Sequence, residues 1–323
     1  MLADSQYAPG DCKVHGNDCV SNVQRELRKT PAPRPVRAQG AGFLQEINIA
    51  TAGGYEVPLE YFVAAQPIAK LLILPALGIE ARLYRKLGAM LAQSGITVAT
   101  LEQRGHGRSS LRPSRSCDFG FKEWLLQDIP AALNWLLSRE SELPVYVAGH
   151  SLGGHLGLMA RALYPDRVAG MVLLTTATPW YRCFRGRQRL MLRVLINAVP
   201  PVTALLGHYP GNRIGFGGRE ARRLMADWLE MARHNRYEAR GFDADLESMV
   251  QAGSGPVLSI YCDRDDLAPL TAIEGVTKRL PGYEIDWFEI SSDALGVRAD
   301  HVSWAKQPAL AAAAISEWIG KRN

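Results

Sequence analysis

The serine of the segment GHSLG, Ser151, is the residue whose surroundings most clearly indicate chemistry. The apolar run VYVA precedes this segment and small residues that open a predicted helix follow it, so G-x-S-x-G lies between a strand and a helix. The glycines leave room for a serine in a strained conformation on a sharp turn. Such a turn exposes the hydroxyl at a helix N-terminus, where free backbone N–H groups can stabilise an oxyanion. We therefore predict that Ser151 is a nucleophile.

A serine hydroxyl becomes a nucleophile when a base stands beside it, and the base in turn needs an acid that orients it. A histidine follows the last predicted strand in the segment VRADHV, residues 297–302. The carboxyl ends of parallel strands form the crevice of an open sheet, so this segment should reach the serine. We predict that His301 is the general base.

The orienting acid is expected after the strand before that one, in the segment YCDRDDLAP, residues 261–269. An order of serine, then acid, then histidine along the chain is known for G-x-S-x-G enzymes. Asp265 is the predicted acid because it lies between the strand and the sequence Leu-Ala-Pro. Asp266 is the second candidate and Asp263 the third.

An oxyanion also needs two backbone donors, one of which is the N–H of Leu152, directly after the serine. The other should come from the loop PALG that follows the strand LLIL. We predict the N–H of Leu77, with Ala76 as the alternative, since Pro75 has no N–H to donate.

Strands and helices alternate on both sides of these segments, which predicts a mostly parallel sheet with helices on both faces. Residues 1–41 are polar and proline-bearing and are expected to be a flexible extension. Residues 42–177 and 254–323 form the predicted core. Residues 178–253 are predicted to be a helical cap inserted into it, because no convincing strand occurs there and GHYPGNRIGFGG has the composition of a loop.

The composition is that of an ordinary globular chain, with 323 residues, 47% hydrophobic and 21% charged, and a net charge of +5. No basic run interleaved with aromatic residues occurs, so no nucleic-acid partner is expected. The apolar stretch Leu190–Leu206 contains Arg193 and the pair Pro200-Pro201, and we expect no stable membrane insertion from it.

Five cysteines, an odd number, are mostly scattered along the chain, which favours a reducing compartment and predicts a cytoplasmic location. Cys12, His15 and Cys19 lie close together, but their spacing fits no zinc pattern. We therefore predict no metal, and the absence of a phosphate loop or a dinucleotide fingerprint predicts no cofactor. The oligomeric state is not indicated by the sequence.

The segments LPALGIEARLYRKLGAMLAQSGITVATLEQRGHGRSS and VYVAGHSLGGHLGL resemble those of bacterial hydrolases grouped with monoacylglycerol-lipase-like and serine-aminopeptidase-like members. Over residues 42–319 the chain resembles the alpha/beta-hydrolase fold, which implies an eight-stranded sheet and a cap. Three departures from the family pattern occur. The oxyanion loop lacks His-Gly, Glu102 replaces the usual Asp, and Cys262 stands where glycine is common.

The predicted function is that of a serine hydrolase that cleaves a small-molecule carboxylic ester with a short to medium acyl group through an acyl-enzyme. Lipid esters and thioesters remain open as substrates. Trp180, Tyr181 and Leu195 are predicted to line an acyl pocket, although they could equally form the core of the insertion. Two other functions fit the same fold: an acyltransferase with an alcohol or amine acceptor, and a non-catalytic ligand-binding protein.

Overall fold

The computed structural model describes residues 42–139 and 142–323 of the chain. Eight strands of this part form one sheet in the spatial order β1-β2-β4-β3-β5-β6-β9-β10, and β7 and β8 form a separate pair. The strands are β1 (Leu44–Ala50), β2 (Glu56–Phe62), β3 (Ala69–Leu74), β4 (Ile96–Leu101), β5 (Val145–His150), β6 (Gly170–Leu174), β7 (His208–Pro210), β8 (Arg219–Ala221), β9 (Gly255–Cys262) and β10 (Tyr283–Ile290).

Only the first two strands break the parallel arrangement. β1 and β2 form an antiparallel hairpin, and β2 runs antiparallel to β4, whereas every pair from β4 to β10 is parallel. Every residue of β3, β4, β5 and β6 is buried. Strands buried on both faces need cover on both faces, which is the arrangement that the alternating sequence predicts. The predicted fold class is confirmed.

The helices supply this cover. They are α1 (Arg85–Gln93), α2 (Phe121–Glu123), α3 (Ile129–Leu137), α4 (Leu152–Leu163), α5 (Gly186–Leu206), α6 (Gly211–Ile214), α7 (Arg222–His234), α8 (Leu246–Ala252), α9 (Leu270–Thr277), α10 (Ser292–Leu295), α11 (Ser303–Lys306) and α12 (Ala309–Gly320), with a π-helical turn (Trp124–Asp128) between α2 and α3. The apolar core accordingly has two parts. One contains side chains of α3 and α4, and the other contains side chains of α1 and α12.

Residues 178–253 lie between β6 and β9 and contain α5 to α8, together with the antiparallel pair of β7 and β8. The prediction that this segment has no strand, and that GHYPGNRIGFGG is a loop, was therefore wrong. Each strand has only three residues, which is too short to show an alternating pattern. Their pairing also depends on tight turns at Gly207 and Gly215, whose φ angles are positive.

Helix α5 continues through Pro200 and Pro201 for 21 residues. A proline at position 200 removes the N–H that would pair with the carbonyl of Ile196. Arg233 of α7 replaces that donor, with its Nη2 lying 3.0 Å from the Ile196 oxygen. By length and composition, α5 is the one helix of the described residues that could cross a membrane, and only about a sixth of it is buried.

Candidate active site

Ser151 lies on the turn between β5, which ends at His150, and α4, which begins at Leu152. Its φ of 51° makes it one of three non-glycine residues with a positive φ in the described part of the chain, and such a backbone stores strain. The flanking glycines are a steric requirement. A Cβ at Gly149 would lie 2.3 Å from backbone atoms of Gly153, and a Cβ at Gly153 would lie 2.0 Å from the carbonyl oxygen of Leu74.

A hydrogen bond joins the predicted base to the predicted acid. His301 Nδ1 lies 2.8 Å from Asp265 Oδ2, and their side chains are 14% and 0% exposed. The other carboxylate oxygen, Oδ1, accepts the N–H groups of Leu267 and Ala268, each at 2.9 Å. Because both oxygens are engaged, the carboxylate is fixed and can orient the imidazole.

The two other acids considered from the sequence face different partners. Asp266 is exposed and accepts from Gln188 and Arg298. Asp263 accepts from the backbone N–H and the hydroxyl of Ser292. The geometry therefore favours Asp265 as the partner of His301.

The imidazole of His301 also lies beside the serine turn, because its ring centroid is 5.0 Å from that of His150. Ser151 follows β5, Asp265 follows β9 and His301 follows β10. Three residues spread over 150 positions are thus brought to the same edge of the sheet, as expected where the strands are parallel.

The oxyanion loop, Pro75 to Gly78, lies against the start of α4, since a Cβ at Gly153 would also approach the Pro75 oxygen to 2.7 Å. Leu152 is the first residue of α4, so its N–H has no acceptor within the helix. Ala76 N–H, the alternative donor considered from the sequence, is occupied, because it donates to Tyr84 Oη at 3.1 Å. This geometry favours Leu77 over Ala76 as the second donor.

Sequence reasoning missed a buried network that supports this loop. Tyr84 Oη, which accepts the Ala76 N–H, also lies within hydrogen-bond distance of His150 Nδ1, at 2.8 Å. Burial and the neighbouring His301 hold the pKa of His150 well below its usual range, so the ring is neutral. Gln103 Nε2 donates to the carbonyls of Pro75 and Ala76, at 2.9 and 2.6 Å. The one available signal was a polar glutamine shortly after the strand β4, every residue of which is buried.

Replacing Tyr84 with phenylalanine is expected to lower kcat about tenfold and to change KM little. The change leaves the Ala76 N–H and the His150 Nδ1 without their partner, so the loop that carries the oxyanion donor loses a restraint. Tyr146→Phe is the matched control, because within the described residues that hydroxyl has one hydrogen bond, to Asn323 at 3.5 Å. Steady-state kinetics of both variants check this prediction, and an equal effect of the two would contradict it.

The inserted segment covers the oxyanion loop directly. Gly78 has a φ of +75°, and a Cβ there would lie 2.2 Å from the backbone nitrogen of Gly218. Glu220 accepts the N–H of Gly218 at 2.7 Å and pairs with the buried His106 at 3.1 Å. Burial alone would lower the pKa of His106, but the hydrogen bond and charge of Glu220 outweigh it and raise that pKa. The pair thereby fixes the segment from α6 to β8 to the core.

Replacing Gly78 with alanine is expected to lower kcat/KM about 100-fold or more, because the new methyl group must displace either the oxyanion loop or the turn at Gly217 and Gly218 that covers it. Gly54→Ala is the control for backbone strain. Gly54 has the same φ of +75°, but its Cβ would meet no atom within 4 Å. Gly54→Ala should lose roughly 1–2 kcal/mol of unfolding free energy to the left-handed backbone. Gly78→Ala should lose more, because its methyl group also clashes with Gly218, and only Gly78→Ala should lose activity.

The residues predicted to contact the substrate are placed as follows. Trp180 and Tyr181 are half-buried, and Arg182 lies over both rings. Leu195 of α5 is half-buried and packs against one part of the core. A cleft of about 900 Å³ beside Asp265 is lined by other residues, including Gln188, Leu270 and Arg298. The substrate contacts of Trp180, Tyr181 and Leu195 therefore stay a prediction.

No group of three His, Cys, Asp or Glu side chains is placed to hold a metal ion within residues 42–139 and 142–323. Cys12, His15 and Cys19 lie outside the described residues. Cys262, one of the departures from the family pattern, ends β9 with its thiol buried, and this burial raises its pKa to about 12. Glu102, another departure, accepts the N–H groups of Ala81 and Arg108, and Gly107 leaves room for its longer side chain.

The strand order, the strained serine after β5 and the acid–base pair after β9 and β10 define an alpha/beta hydrolase. The family described as serine aminopeptidase, S33 matches residues 65–274, well over half of the chain, and the chain belongs to this family. Its homologues include lipases.

Individual relatives are distant. Monoglyceride lipase of Rattus norvegicus is 29% identical over 92 residues, which cover 28% of this chain and 29% of the lipase. The putative carbamate hydrolase RutD of Yersinia enterocolitica is 26% identical over 235 residues, or 70% of this chain and 80% of that protein. The solved structure of DcsB with its substrate analogue superposes with a TM-score of 0.61 at 12% identity, covering 86% of this chain and 99% of DcsB. This last likeness concerns the fold alone.

Proposed function

We propose that the protein is a serine hydrolase that cleaves a carboxylic ester of a small molecule, with a short to medium acyl group, by way of an acyl-enzyme. The observation that carries this proposal is the Asp265–His301 hydrogen bond beside the strained Ser151 turn. A buried carboxylate that orients a histidine beside a serine on such a turn is the arrangement that activates a serine nucleophile. The likeness to a monoglyceride lipase favours an ester over other acyl compounds.

The reaction begins with His301. Because Nδ1–H is donated to Asp265, the lone pair of Nε2 is free to take the hydroxyl proton of Ser151. The serine oxygen then attacks the ester carbonyl, and the N–H groups of Leu152 and Leu77 hold the negatively charged oxygen. The imidazolium gives its proton to the departing alcohol, which leaves an acyl group on Ser151. Water, deprotonated by His301, releases the acid and restores the serine.

A chain-length series tests the substrate class. The protein should cleave p-nitrophenyl esters from acetyl to palmitoyl with a maximum of kcat/KM at short or medium length, and acyl thioesters more slowly. Product analysis in the presence of an added alcohol distinguishes the acyltransferase, which would form a new ester in preference to the free acid. A folded protein that binds these compounds without turnover would instead support a ligand-binding role.

A cytoplasmic location is part of the proposal. The proposal is supported by Cys117, Cys183 and Cys262, which are free thiols in the described part of the chain, because a reducing compartment keeps thiols in this form. Thiol titration of the protein freshly purified from cytoplasm should find these three groups reduced.

A further inference from the structure

Helix α5 exposes an apolar stripe. Leu190, Met191, Val194 and Leu205 are 59–71% exposed, and Leu206 is also exposed. These are five of the twelve large hydrophobic side chains that are exposed in the described residues. Leu190, Val194 and Leu205 lie on one helix face, where the smaller exposed side chains of Ala198 and Pro201 connect them into one apolar band. A contiguous apolar patch of this kind indicates an interaction surface.

The opposite side of the same helix is fixed to the protein. Ile196, Val199 and Thr203 are buried, and the carbonyl of Ile196 accepts from Arg233 of α7. A helix that crosses a bilayer would have to expose this side as well. The length and apolar composition of α5 are therefore compatible with lying along a surface, and the packing excludes spanning in the folded state.

Basic side chains lie beside the stripe. Arg187, Arg189 and Arg193 are exposed on α5, and Arg182 and Arg185 precede it. The helix contains no acidic residue. Within residues 42–139 and 142–323, Arg185, Arg187 and Arg193 form no ion pair. Arg189 lies over the ring of Tyr181. An apolar helix face bordered by arginines that form no ion pair within this part of the chain is complementary to a lipid surface that carries anionic headgroups.

We propose that the outer face of α5 docks on an anionic membrane surface, with the stripe entering the boundary between headgroups and acyl chains. A second copy of this chain is the poorer partner, because a two-fold contact of the stripe would bring two sets of unpaired arginines together. The docked helix adjoins the candidate active site, since Gln188 of α5 donates to Asp266, the neighbour of Asp265, at 3.0 Å. The docking does not depend on the reaction proposed above.

Co-sedimentation of the full chain with vesicles tests the proposal. Binding is expected to vesicles of phosphatidylcholine mixed with phosphatidylglycerol, at least about tenfold more tightly than to phosphatidylcholine alone, and to weaken as salt is raised. The triple variant Leu190→Gln, Val194→Gln, Leu205→Gln should lose binding to both. The triple variant Arg187→Gln, Arg189→Gln, Arg193→Gln should lose the preference for the anionic lipid.

A matched control comes from an exposed hydrophobic residue elsewhere. Phe43→Gln removes a side chain of similar exposure, 67%, far along the chain from α5, and it should leave binding unchanged. A thermal unfolding midpoint equal to that of the native chain would show that each variant is folded. The proposal is overturned if the native chain does not sediment with anionic vesicles, or if the stripe variant binds as the native chain does. It is also overturned if the native chain is a dimer that the stripe variant converts to a monomer, without vesicle binding.

Discussion

Ser151→Ala is expected to lower kcat/KM for ester cleavage by about 10⁵- to 10⁶-fold, the loss seen when the nucleophile of a Ser-His-Asp enzyme is removed. The alanine keeps the strained backbone of the turn and a side chain no larger than the serine, so the elbow and both flanking glycines can stay in place. The variant should therefore unfold at a midpoint close to that of the native protein.

Steady-state hydrolysis of a soluble p-nitrophenyl ester measures this effect. Ser110→Ala, at an exposed serine of the loop after β4, is the matched control and should retain the native rate. Retention of more than a few per cent of activity in folded Ser151→Ala would show that another residue is the nucleophile, or that the serine is not used.

Asp265→Asn is expected to lower kcat by about 10⁴-fold. An asparagine oxygen can still accept from Leu267 and Ala268, so the loop keeps its shape. The amide, however, cannot hold Nδ1 of His301 in its protonated form or stabilise the imidazolium. The base then presents the wrong tautomer to Ser151, and the rate of acylation falls.

Asp266→Asn provides the comparison within the same turn. Its carboxylate is exposed and bound to Gln188 and Arg298, so its loss should change kcat by less than about twofold. The same substitution at two adjacent positions thus separates the orienting role from a general effect of charge. Similar losses for the two variants, or a larger loss for Asp266→Asn, would contradict the assignment of Asp265.

The sequence allowed much of the fold to be predicted because local patterns carry it. Mostly apolar or β-branched runs such as β3 and β4 are long enough to indicate buried strands, and the glycine-flanked serine lies where one such run gives way to a helix. Asp265 and His301 could be predicted from their order along the chain, because each follows a strand and parallel strands end at the same edge of the sheet. Their hydrogen bond follows from the arrangement of β9 beside β10.

Features that depend on contacts between distant segments could not be predicted. Helix α5 continues past its two prolines because Arg233, more than thirty residues away, donates to the carbonyl of Ile196. The hydroxyl of Tyr84 supports the oxyanion loop because the fold brings it within hydrogen-bond distance of His150. The close approach of Gly78 to Gly218 likewise depends on how the inserted segment packs on the core. No periodicity in the sequence encodes such contacts.

The measurement that tests the central claim most directly is labelling with a fluorophosphonate probe, followed by mass mapping of the labelled peptide. The native protein is expected to form one covalent adduct, on Ser151, and Ser151→Ala is expected to form none. His301→Ala should label far more slowly, because the serine loses its base. A folded native protein that fails to label, or that carries the label on another residue, would contradict the assignment of Ser151 as an activated nucleophile.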